Sequence, residues 1–248
     1  MRSPAIVGAR VGSVALFLLV WEWAALARIS FNFPSPWATL TALFDLIRSG
    51  ALLAATATSM KSLLLGFGVA VLIGVPVGLV MGMVRPVGRI ARVYLDLLIA
   101  LPTAALIPLV ILSFGISVAS SATIVFVFSA PFVAMNTYGG VRDVRPRLVE
   151  MARAFQASRG QLVARIVLPS ALPMILAGLR YGLSRAFVGL IVAELLLSPF
   201  GLGRLIMTSR SMFEHDRMFA TVLWTLVLAS AALGALARVE ARLLRWRA

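Results

Sequence analysis

Two stretches, residues 62–84 and 118–141, each run for more than twenty positions without a charged side chain. A helix needs about 20 apolar residues to cross the hydrocarbon core of a bilayer. Shorter uncharged runs occupy 97–114 and 218–237. Two more runs carry a few charges: 11–27 contains Glu22, and 174–200 contains Arg180, Arg185 and Glu194. Six spans are therefore expected in an all-α membrane protein. The links are too short for a separate soluble domain, so residues 1–248 read as a single transmembrane domain. Composition agrees, with 61% hydrophobic and 13% charged residues, where a soluble domain has about 45–50% and about 25%. A disordered chain is excluded on the same grounds.

There is no cysteine and one histidine, His215. Disulfide scaffolds, cysteine-ligated metal and thiol catalysis are excluded, and a multi-histidine metal site with them. No nucleophile and base stand out as a catalytic set, so no catalytic residue and no metal site are assigned. The one lysine, Lys61, precedes Ser62, but residues 55–60 contain no glycine. The chain therefore lacks the glycine-rich loop that cradles ATP phosphates.

Net charge is +14, and 22 of the 23 cations are arginine. In a soluble protein this would suggest nucleic acid; in a membrane protein the placement of the cations decides. With the N-terminus inside, fifteen fall on the cytoplasmic side: Arg2 and Arg10, Arg85 to Arg92, six from Arg142 to Arg165, and four from Arg238 to Arg247. Six fall outside: Arg28, Arg48, Lys61, Arg204, Arg210 and Arg217. The bias places both termini in the cytoplasm and removes the case for a nucleic-acid partner. A cleaved leader is the rival reading of residues 1–27, with Ala25, Leu26 and Ala27 at the cleavage site. Trp21, Glu22 and Trp23 suit an interfacial belt better, and the segment is kept as a span.

Gly66, Ala70, Gly74, Gly78 and Gly82 recur every fourth residue and place one small-residue stripe on the second span. Such a stripe lets another helix approach closely. Pro76 predicts a kink there. Gly178, Gly182 and Ala186 form a similar stripe in the fifth span, with Gly189 and Ala193 beside it. Charges at membrane depth cost roughly 2.5–3.5 kcal/mol each. Glu22 lies near the outer end of the first span, and Arg180 snorkels at the inner end of the fifth. Arg185 is deeper, facing either a cavity or an ion-pair partner. Glu194, nine residues on, is about 900° away around the helix and points to the opposite side, so each needs a partner on another helix or another copy. Asp96 pairs with Arg89 or Arg92 at the surface.

Residues 142–173 form the longest cytoplasmic link. Leu148, Met151, Ala152 and Phe155 follow helical spacing, and Leu162, Val163, Ile166 and Val167 follow it again. Ser158 with Gln161 reads as a capping box opening the second short helix. Leu168 and Pro169 are expected to end that helix.

Glu150, Met151, Ala152 and Gln156, followed after nine residues by Ile166, Leu168 and Pro169, resemble the EAA motif of ABC importer permeases, roughly E-A-A-x-x-x-G, nine residues, I-x-L-P. Met151 replaces an Ala of that pattern, and Gln156 replaces the Gly that marks the turn between the two coupling helices; Gly160 offers a second place for the turn. Other stretches, among them Ala100, Leu101 and Pro102, Gly178, Leu179 and Arg180, Ala193 and Glu194, and Gly201, Leu202 and Gly203, are similar to the sulfonate, taurine and nitrate permeases. This resemblance extends over nearly the whole chain from residue 33 and implies a type I importer permease in the inner (cytoplasmic) membrane, working as a homodimer. It implies two ATPase subunits that bind ATP and Mg, the chain itself having no cofactor, and a periplasmic or lipid-anchored substrate-binding protein. Glu150, Met151, Ala152, Phe155, Gln156, Ser158, Gly160, Ile166, Leu168 and Pro169 would form the ATPase-coupling loop. Arg185 and Glu194 are the candidate pathway residues. Glu214, His215 and Asp216 form an outer patch suited to contact with the binding protein.

The expected solute is a small sulfonate, taurine or nitrate. A vitamin-like heterocycle, a thiamine precursor or riboflavin, is the alternative. An ion-coupled secondary transporter or channel is the rival of another class, but it leaves the paired amphipathic helices without a role and offers no broken-helix pair of acids.

Overall fold

The computed structural model describes residues 4–27, 33–197 and 200–245, and among them every regular element is helical. The helices are α1 (Pro4–Leu26), α2 (Pro36–Arg48), α3 (Ala51–Met83), α4 (Arg85–Ala100), α5 (Ile107–Phe114), α6 (Val118–Arg142), α7 (Pro146–Ala154), α8 (Arg159–Leu162), α9 (Leu168–Leu197), α10 (Gly201–Ser211) and α11 (His215–Leu243). Arg2, Arg28 and Arg247 of the charge count, and Ser198 and Pro199 at the end of the fifth expected span, lie outside the described residues.

Local chemistry sets several boundaries. Ser35 caps α2 by accepting from Ala38 N–H at 3.1 Å, with Pro36 as its first residue. Ser117 caps α6 in the same way through Ser120 N–H. Gly50, with φ of 74°, makes the left-handed turn between α2 and α3.

The described residues contain four helical stretches long and apolar enough to cross a bilayer: Ala51–Met83, Val118–Arg142, Arg159–Leu196 and His215–Leu243. The expected span at 97–114 is instead a pair, Arg85–Ala100 and Thr103–Phe114, bent by 91°. Leu101 is extended (ψ 135°) ahead of Pro102, because the proline ring crowds a helical residue before it. Counting that pair gives five; the apolar part of α1, Gly12–Leu26, is a shorter helix. The expected span at 62–84 belongs to a helix that begins eleven residues earlier, at Ala51, and runs unbroken through Pro76.

The small-residue stripe of α3 faces α6. A Cβ on Gly66 would collide with the Ala122 carbonyl oxygen and Val125, and one on Gly78 would stand 2.5 Å from the Ala134 carbonyl oxygen. Gly74 meets Val133, and Gly82 meets Val141. On a neighbouring face of α6, Gly178 meets Asn136, Gly182 meets Val133, and Gly189 meets Phe128, all from α9, and Gly182 also touches Phe67 of α3. So α3, α6 and α9 pack against one another, with α6 in close contact with both others, and small residues let their backbones approach. Leu63, Val125, Leu183, Ala186, Phe187 and Leu190 form the core there, and α11 covers it. Ala42, Leu46, Leu52, Leu202 and Ala220 tie α2, α3, α10 and α11 together at one end. Val141, Val167, Ala171 and Ile175 close the other end, beneath α7 and α8.

Candidate functional site

The segment between α6 and α9 holds the two short helices expected from its periodicity. Within α7, Ala152 is buried and Leu148 is half-buried, while Glu150 is exposed. Met151 (50% exposed) and Phe155 (82%), which caps the helix, are uncovered. The apolar stripe is thus divided into a covered half and an uncovered half.

The turn lies at Gln156, not at Gly160. Gln156 has φ of 53°, the left-handed region, and Gly160 lies within α8. Ala157 N–H donates to Ala152 O at 3.0 Å and Gln156 N–H to Arg153 O at 2.9 Å, the two bonds of a Schellman motif with Gln156 at the position glycine favours. Ser158 then opens α8 with the expected capping box. Its N–H donates to Gln161 Oε1 at 2.9 Å, and its Oγ accepts from Gln161 N–H at 3.3 Å.

Leu168 and Pro169 do not end the second helix, contrary to the expectation from the proline. A π-helical turn at Val163–Val167, with Leu168 N–H reaching Val163 O, joins α8 to α9 without a break. The wider turn absorbs the carbonyl displacement that a proline forces one turn upstream. Ile166 is half-buried and Val167 buried, so this helix's apolar side is spent on its own bundle.

Glu194 finds its partners within the same chain. It is 1% exposed, on α9. Ser59 Oγ, on α3, donates to its carboxylate at 2.6 Å, and Gly203 N–H donates to Oε2 at 2.9 Å. Leu202 N–H donates to Ser59 Oγ at 2.9 Å. The carboxylate therefore sits at the N-terminus of α10, where free N–H groups and the helix dipole favour an anion. Gly201 has φ of 81°, and a Cβ there or on Gly203 would collide with Glu194. Ser59 was invisible at the sequence level. The glycines at 201 and 203 were the available signal, since nothing larger fits around the carboxylate.

Arg185 lies on the opposite side of α9, exposed, with its guanidinium carbon 4.9 Å from the Phe132 ring centroid. Arg180 pairs with Glu240 of α11, a partner sixty residues away that spacing could not suggest. Arg92 Nε and Asp96 Oδ2 are 3.4 Å apart on the surface of α4. Glu214 pairs with Arg217 at 3.0 Å, and among the described residues no three His, Cys, Asp or Glu side chains could hold a metal.

The comparisons with known proteins match this arrangement. The model of the binding-protein-dependent transport system inner membrane component covers residues 74–245. The chain is 31% identical to the putative aliphatic sulfonates transport permease protein SsuC of Bacillus subtilis, over 94% of this chain and 85% of that one. It is 32% identical to the taurine transport system permease protein TauC of Escherichia coli, over 95% and 88%. Identity is also 32% to the riboflavin transport system permease protein RibX of Chloroflexus aurantiacus, over 95% and 89%. In fold it is similar to a chain of the inward-facing MetNI methionine ABC transporter, with a TM-score of 0.62 at 20% identity over 80% of this chain and 95% of that one. A chain of an amino acid ABC transporter gives 0.62 at 17% identity, over 82% and 97%. The chain belongs to the binding-protein-dependent transport system inner membrane component family, as a multi-pass transport permease subunit of an ABC importer and not an enzyme.

Proposed function

We propose that two copies of this chain form the membrane pathway of an importer for small sulfonates, taurine foremost, with two ATPase subunits docked on residues 142–173. The observation that carries the coupling role is the uncovered pair Met151 and Phe155 on α7, beside exposed Glu150. An uncovered apolar pair beside a charged side chain suits a cleft in a partner protein. The cation bias places this end, and both termini, in the cytoplasm. The ATPases supply ATP and Mg binding; when they close, α7 and α8 move with them. Because α8 continues into α9 through the π turn, that motion passes directly to the helix carrying Arg185. Glu194 braces α10 against α3 and α9 at the opposite end, which faces the binding protein.

Likeness to SsuC and TauC over almost the full chain supports the sulfonate class. Riboflavin is the second reading, because RibX is equally similar over the same length. The test is to purify the complex with its ATPase and binding protein and measure ATP-driven uptake of taurine, ethanesulfonate and riboflavin into proteoliposomes. Sulfonate uptake is expected; uptake of riboflavin alone selects the second reading, and ATP-independent, ion-driven uptake overturns both.

A further inference from the structure

We propose that Arg185, laid over the Phe132 ring, is a binding site within the membrane for the oxyanion head of the transported solute, an inference that rests on the importer reading above. Arg185 is five residues beyond Arg180 and nine before Glu194 on α9. Along the helix axis it therefore lies about 7.5 Å inside the first and about 13.5 Å inside the second, deep within the span.

The acids of the chain can be followed one by one. There are nine, and all lie in the described residues. Glu194 is held by Ser59 and Gly203, Glu240 by Arg180, Asp96 by Arg92 and Glu214 by Arg217. Glu22 is near the end of α1, Asp45 is in the last turn of α2, and Asp216 opens α11. Asp143 and Glu150 belong to the α7 end. Among the described residues no Asp or Glu lies within ion-pair distance of Arg185. Its own chain therefore supplies no side-chain counter-charge, which leaves the guanidinium available to a bound anion.

The surroundings fit an anion. Tyr181, Arg185 and Val188 form one exposed arc of α9, beside the arc by which Gly178, Gly182 and Gly189 touch α6. A bare guanidinium facing hydrocarbon at this depth is strongly disfavoured, so the arc borders a water-filled passage. Low-dielectric walls focus the field of a lone cation and concentrate anions near it. The guanidinium lies over the Phe132 ring, its carbon 4.9 Å from the centroid, and a guanidinium's N–H fork can hold two oxygens of a sulfonate side by side.

The chain has no cysteine, so Tyr181→Cys introduces a single thiol one helical turn from Arg185. The assembled complex in nanodiscs is treated with the 2-sulfonatoethyl and the 2-trimethylammonioethyl methanethiosulfonates, and permease labelling is followed by intact mass. With Arg185 present, the rate ratio should favour the anionic reagent by about tenfold over the ratio in Tyr181→Cys/Arg185→Gln. Arg185→Lys should keep most of the preference. If Arg185→Gln does not assemble, the ratio for Tyr181→Cys alone, normalised to free cysteine, decides the matter. An unchanged ratio, or a thiol inert to both reagents with and without ATP, overturns the site. If the preference is present and the complex carries no sulfonate, the site stands and the sulfonate reading falls. If sulfonates are carried and the preference is absent, the reading stands and the site falls.

Discussion

Ser59 Oγ lies 2.6 Å and 2.9 Å from the two carboxylate oxygens of Glu194, and the same hydroxyl accepts from Leu202 N–H at 2.9 Å. One small side chain thus joins α3, α9 and the first turn of α10. Ser59→Ala removes a donor from a fully buried carboxylate, which costs about 1–3 kcal/mol. Gly203→Ala should be worse, because its methyl would collide with the Glu194 backbone and Cβ. Thermal unfolding of the purified permease should rank wild type above Ser59→Ala above Gly203→Ala, with the exposed control Ser113→Ala at wild type. Equal midpoints for all four would remove the bracing role.

The α3–α6 contact makes a comparison within one helix. Gly66 and Gly68 lie two residues apart, yet a methyl on Gly66 would overlap the Ala122 carbonyl oxygen, while one on Gly68 has open space. Gly66→Ala is expected to abolish or sharply lower the yield of folded permease. Gly68→Ala should be neutral or slightly stabilising, since alanine is the better helix former. Monodisperse yield in detergent reads both; a folded Gly66→Ala with normal stability would contradict the close packing.

Much of this was legible because it is local. The capping box at Ser158, the small-residue stripe from Gly66 to Gly82 and the opposed directions of Arg185 and Glu194 all follow from spacing along one helix. Prolines show where locality fails. The same rule that breaks the chain at Pro102 predicts a break at Pro169, and there a π turn carries the helix through. Pro76, Pro131 and Pro173 also lie inside helices. Whether the displaced carbonyl is accommodated depends on neighbours that a sequence window does not contain. The partners of Glu194 and Arg180, on other helices, were hidden for the same reason.

Topology is open to a direct labelling test. Arg48 ends α2 and Arg159 opens α8, both exposed, at opposite ends of the bundle. In intact cells Arg48→Cys should react with an impermeant thiol reagent, and Arg159→Cys only after permeabilisation. The reverse pattern would invert the orientation drawn from the fifteen-to-six cation bias.

Gln156 offers a stability test that the coupling role does not share. A non-glycine residue at φ of 53° is strained, by roughly 1–2 kcal/mol. Gln156→Gly should relieve that strain and leave transport intact. Gln156→Val should be destabilising, because a β-branched side chain tolerates that backbone poorly. If Gln156→Val matches Gln156→Gly in thermal stability, the left-handed turn is not at this residue.

The uncovered half of α7 gives the sharpest test of coupling. Phe155 is 82% exposed and touches none of the core clusters, so Phe155→Ala should leave folding of the permease unchanged. If Phe155 seats in an ATPase cleft, its truncation removes a buried aromatic anchor, worth about 2 kcal/mol or more at an interface centre. The ATPase should then bind some thirtyfold more weakly, and ATP hydrolysis should lose its response to the loaded binding protein. Glu150→Arg, which reverses a charge on the same exposed helix, should act in the same direction. Ala164→Pro strikes the π turn and should spare ATPase docking on α7 while breaking transmission into α9, so hydrolysis continues and uptake stops. Wild-type uptake in all three variants, with normal ATPase retention on size exclusion, would take the coupling role away from this loop.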